Sequence, residues 1–96
     1  MQSAFDEFVL VKVGLAIQGA TQIDPAQISP TTRLVDDLGL RRFGRLRLAI
    51  CLEEAFDDEL SDDALERFVT VGDIIRYFSR RIFRDHVSRL PAALAA

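Results

Sequence analysis

Val35-Asp36-Asp37-Leu38-Gly39-Leu40-Arg41-Arg42-Phe43 is the stretch on which the reading of this chain turns. It joins a turn-rich segment upstream to a periodic apolar segment downstream, so a helix is expected to begin just after it. That helix should run from about Arg42 to Phe56, with Phe43, Leu46, Ile50, Leu52, Ala55 and Phe56 available for burial.

Upstream, from Gly19 to Leu40, the signals are Asp24-Pro25, Ser29-Pro30, Thr31-Thr32 and Gly39. They predict a long, partly structured loop. Its own apolar residues, Ile23, Ile28, Leu34, Val35 and Leu38, should pin it to the domain. Before the loop, Ser3 can cap a helix from about Ala4 to Gln18, with Asp6 and Glu7 in its first turn and Phe5, Phe8, Val9, Val13, Ala16 and Ile17 inward. The alternative is a strand, because Val9-Leu10-Val11 and Val13 are good β formers, but the run is too uniform for period-2 alternation and helix is preferred. Gly19 is its natural stop. Leu10, Val11 and Leu15 remain apolar after that stripe is assigned, so either the loop or a partner covers a second face.

Downstream, Ser61 should cap a short helix over Asp62 to Arg67. Thr70 should cap a fourth helix in which Val71, Ile74, Ile75, Phe78 and Ile82 recur at helical spacing, with Arg76, Arg80, Arg81 and Arg84 on its other faces. Pro91 ends any extension past His86. Residues 1–86 are thus expected to form one helical domain and residues 87–96 a frayed tail.

Size and composition bound what such a chain does. At 96 residues, 49% hydrophobic and 28% charged, it is one globular domain with a modest core. A single cysteine, Cys51, cannot form an internal disulfide or a thiolate metal site, and its place in the apolar pattern makes it a small core residue. His86, the one histidine, has no second ligand beside it, so no metal site is expected. The opening residues are not basic as a secretory signal would be, and no apolar run approaches the ~20 residues of a membrane helix. A cytoplasmic location is expected.

Charge is unevenly placed. Eight acids and no base lie between Glu53 and Glu66, and four arginines and no acid between Arg41 and Arg47, in a chain of net charge −3. The acidic run lacks the spacing of a calcium loop and reads as a solvated surface. Cations at a helix N-terminus are unfavourable by about 0.3–1 kcal/mol each at exposed positions. The arginine cluster is therefore either a solvated face or, with the free N–H groups of the first turn, a receiver for a carboxylate, a phosphate or an acidic protein surface.

Three strings now stand in order: Val35-Asp36-Asp37-Leu38-Gly39-Leu40, then Leu52-Glu53-Glu54-Ala55-Phe56-Asp57-Asp58-Glu59-Leu60, then Phe68-Val69-Thr70-Val71-Gly72-Asp73-Ile74-Ile75. Over about Phe5 to Phe83 the chain resembles the acyl carrier proteins. The resemblance implies an all-α four-helix bundle with a long loop between the first two helices and a short third helix. It also implies a role in fatty acid, polyketide or related lipid biosynthesis. After the Asp-Leu-Gly string the family shows Asp-Ser-Leu, whereas this chain has Arg41-Arg42-Phe43, so Arg42 takes the serine's position. Phosphopantetheinylation needs a hydroxyl oxygen, and a guanidinium has donors only. No 4'-phosphopantetheine is therefore expected. None of Ser3, Ser29, Ser61, Ser79 and Ser88 follows a Leu-Gly loop into a helix.

The expected activity is that of a non-enzymatic binding module, since no nucleophile–base pair or ligand cluster is present. Arg41, Arg42, Arg45, Leu46, Arg47, Ile50, Glu53 and Glu54 are its expected partner-binding residues. The expected partner is a protein with an acidic or mixed-charge docking surface, such as a lipid-biosynthesis enzyme, and the bipolar face could also pair with a second copy. The alternative is an anion-binding module whose arginines meet nucleic acid or acidic lipid headgroups. It ranks lower because the domain is net acidic and only Phe43 could offer an aromatic platform.

Overall fold

The computed structural model describes the backbone of residues 4–88 and the side chains of residues 7–85. Among the described residues there are four helices: α1 Ala4–Thr21, α2 Arg42–Phe56, α3 Asp62–Arg67 and α4 Val71–Ser88, with a 3-10 turn at Pro25–Gln27 between the first two. Expected capping by Ser3 falls outside the described residues. So does most of the expected 87–96 tail, although α4 itself continues past His86 to Ser88.

Helix α1 buries Val9, Val13, Ala16, Ile17 and Ala20, a stripe repeating every three or four residues, against α2 and α4. Phe8, expected inside, is 53% exposed. Its ring instead lies 5.4 Å from the Lys12 ammonium, which is as far from the Phe56 ring and donates to the Ala55 carbonyl at 2.8 Å. A cation thus meets the last turn of α2, where the helix dipole favours it. The helix also runs through Gly19, the expected stop. Gly19 faces the Cys51 sulfur, and a Cβ there would lie 3.4 Å from it. The chain turns instead at Gln22, in the left-handed region at φ 68°, while Thr21 Oγ1 donates to the Ile17 carbonyl. Cys51 itself is half-buried against the core.

In α2 the buried residues are Leu48 and Leu52, not the expected Phe43, Leu46 and Ile50, which are 80%, 48% and 57% exposed. At about 100° per residue, positions two before and two after Leu48 both point away from it. Once Leu48 faces α1, Leu46 and Ile50 must face out. Phe56 closes the inner end, its ring stacked 4.0 Å from that of Phe78 on α4.

The long loop is tied down by backbone as well as by side chains. Leu34 N–H donates to the Val69 carbonyl, Val71 N–H to that of Thr32, and Gly72 N–H to that of Pro30 at 2.8 Å. A Cβ on Gly72 would sit 2.9 Å from the Pro30 oxygen, so only glycine permits this approach. Ile28, Leu34 and Leu40 are buried, Ile23 and Leu38 pack partly against the core, and Val35, expected to help pin the loop, is 41% exposed. Part of the second face of α1 is covered by the loop, with Pro25 set against Gly14. Val11 and Leu15 stay exposed.

Helices α3 and α4 begin on the caps expected. Ser61 Oγ accepts from Ala64 N–H at 3.1 Å, and Thr70 Oγ1 accepts from Asp73 N–H at 3.2 Å. Asp73 returns the bond, accepting from the N–H groups of Val69 and Thr70.

Candidate functional site

The segment Leu38–Leu40 delivers the chain to the head of α2. Asp37 Oδ2 accepts from Arg33 N–H at 2.7 Å, Leu40 N–H donates to the Leu34 carbonyl, and Gly39 between them has φ 66°. Leu40 is buried beneath the first turn of α2, and Leu38 is half-buried. Arg41 follows in the cap position with an extended backbone and no side-chain capping bond, and Arg42 is the first helical residue. No acid stands in that turn.

The eight residues expected to meet a partner divide by where the fold points them. Arg41, Arg42, Leu46, Arg47, Ile50 and Glu54 are exposed. Arg45 turns inward: its Nη2 donates to the carbonyls of Leu65 at 2.8 Å and Phe68 at 3.0 Å, satisfying the C-terminal end of α3. Glu53 also turns inward, accepting from Leu60 N–H at 2.9 Å and holding the α2–α3 connection. Phe43, a flanking residue in the sequence reading, joins Leu46 and Ile50 in a single outward stripe at i, i+3 and i+7. Its spacing was visible in the sequence, but an apolar stripe reads equally well as core until its neighbours are known.

Arg42, Leu46 and Arg45 also line one side of a shallow groove against α3, whose Asp62, Leu65 and Glu66 form the other. Beyond the far end of α2, Asp58 holds Arg81 in a two-pronged pair at 2.6 and 3.0 Å. The Arg81 hydrogen bond keeps the Asp58 carboxyl below its ordinary value against the opposing effect of burial, and Arg81 is raised in turn. The acidic run is therefore not wholly solvated. Among the described residues no three His, Cys, Asp or Glu converge as metal ligands would, and no helix is long and apolar enough to cross a membrane.

No family model matches the chain. An acyl carrier protein of Phenylobacterium zucineum strain HLK1 is 32% identical to it over 74 residues, which span 77% of the chain and 94% of that protein. The chain belongs to the acyl carrier protein family. The expected four-helix architecture and the family's all-α class agree with this, and acyl carrier proteins are non-enzymatic carriers.

Membership overturns one expectation. The match to an acyl carrier protein points to a phosphopantetheine prosthetic group, where the sequence reading expected no cofactor. Arg41, Arg42 and Phe43 offer no hydroxyl to such a group, and these three side chains do not fit a phosphodiester. Kinship over three-quarters of the chain outweighs what those three local residues imply.

Proposed function

We propose that this acyl carrier protein family member serves lipid biosynthesis as a non-enzymatic module that docks on its partners through α2. The observation that carries the reading is the outward stripe of Phe43, Leu46 and Ile50, flanked by Arg41, Arg42, Arg47 and Glu54. An apolar helix stripe rimmed by charge is the form in which a helix is recognised by a groove on another protein, with the rim setting orientation and encounter rate. Three of its rim residues are cationic and one is acidic, which favours a partner surface with acidic or mixed charge.

A photo-crosslinker placed at Leu46 in the native cell tests this. Adducts with lipid-biosynthesis enzymes are expected, and they should vanish when Ile50→Asp is added. The same adducts from a crosslinker at Gln18, on α1, would sink the assignment of the docking face.

A further inference from the structure

A second basic feature lies away from the head of α2. A groove of about 340 Å³ runs between α3 and α4, and five arginines and one carboxylate line it, in a chain whose net charge is −3. On α4 the lining positions 73, 76, 77, 80, 81 and 84 fall at i, i+3, i+4, i+7, i+8 and i+11, a single helical face. The fold therefore concentrates one sign of charge in one concavity, where field lines are focused.

Two of these arginines are already committed, Arg76 to Asp73 and Arg81 to Asp58, with Asp85 also acting on Arg81. Arg67, Arg80 and Arg84 are exposed and take part in none of the described hydrogen bonds or ion pairs. Three uncommitted guanidiniums around one groove repel each other unless an anion joins them. The chain uses eleven arginines to one lysine, and the guanidinium fork matches phosphate oxygens two at a time. Phe68 and Tyr77, packed edge to face at 5.4 Å, supply an apolar wall beside the charges. A volume of this size admits a small molecule.

We propose that the α3–α4 groove binds a phosphate-bearing small molecule, with Arg67, Arg80 and Arg84 receiving its phosphate oxygens and Phe68 and Tyr77 contacting its apolar part. This site is separate from the α2 docking face and stands or falls independently of it.

Tyr77 is the single tyrosine of a chain without tryptophan, so its emission reports the groove directly. The full chain is titrated with sodium pyrophosphate, with sodium chloride at matched ionic strength as control, and with ADP by calorimetry. A saturable change with pyrophosphate is expected, weakened at least about tenfold in Arg80→Gln/Arg84→Gln. Neither residue holds an internal ion pair, so the variant should keep the parent's far-ultraviolet dichroism. Arg41→Gln/Arg42→Gln should bind as the parent does. ADP should bind more tightly than pyrophosphate if the apolar wall contributes, and equal affinity would remove that part of the proposal. An identical response to chloride, or equal loss in the α2 variant, overturns the site.

Discussion

Arg45 and Arg47 sit two positions apart on one helix, yet the first ties α2 to α3 and the second faces solvent. Hydrogen bonds to a charged donor contribute about 1.5–3 kcal/mol when well formed, and the half-exposed setting of Arg45 places it at the lower end. Arg45→Ala should lower the unfolding free energy by about 1–2 kcal/mol, whereas Arg47→Ala should fall within about 0.5 kcal/mol of the parent. Urea denaturation compares the two. Gly39 presents a different case. Nothing lies within 4 Å of where its Cβ would be, so the cost of Gly39→Ala is conformational alone, at φ 66°. A loss of about 1 kcal/mol is expected, with an unchanged denaturant slope.

At the scale of elements, the start of α4 and the end of α2 each rest on a carboxylate. Burial tends to raise Asp73, but the N–H groups of Thr70 and Val69 and the Arg76 guanidinium outweigh it, so its pKa is lowered, as is that of Asp58 beside Arg81. A carboxyl lowered in the folded state stabilises the fold at pH values above its unfolded value, near 3.8, and loses that contribution as pH falls through the folded one. Thermal stability should therefore drop on acidification between about pH 5 and pH 2. Arg81→Gln should be less stable at neutral pH and should lose less on acidification, as calorimetry across that range would show. Helix α4 carries a second weakness. The Ser79 hydroxyl is buried with no hydrogen-bond partner, and alanine is also the better helix former. Ser79→Ala should raise stability by about 1 kcal/mol, read from the urea midpoint.

Among the described residues, α2 carries an apolar, arginine-flanked face and the groove between α3 and α4 carries a cluster of arginines. Because Leu46 and Ile50 are exposed, Leu46→Asp should leave the melting temperature close to the parent's while abolishing docking of a partner enzyme measured by calorimetry. Loss of both together would mean the stripe belongs to the core.

The extents of α2 and α3 and the caps at Ser61 and Thr70 were determined by the sequence, because a cap and a period of 3.6 residues are made by neighbours within one turn. The loop's anchorage at Ile28 and Leu34 was legible for a similar reason, since apolar residues in a turn-rich segment have few other places to go. Tertiary structure alone decided which apolar residues of α2 enter the core, that Arg45 and Glu53 turn inward, that α1 passes Gly19, and that arginines of α3 and α4 meet in one groove. Arg45 and Glu53, for example, reach groups 7 to 23 residues away in the chain, and the angle at which two helices meet is set by all the side chains between them rather than by any local signal.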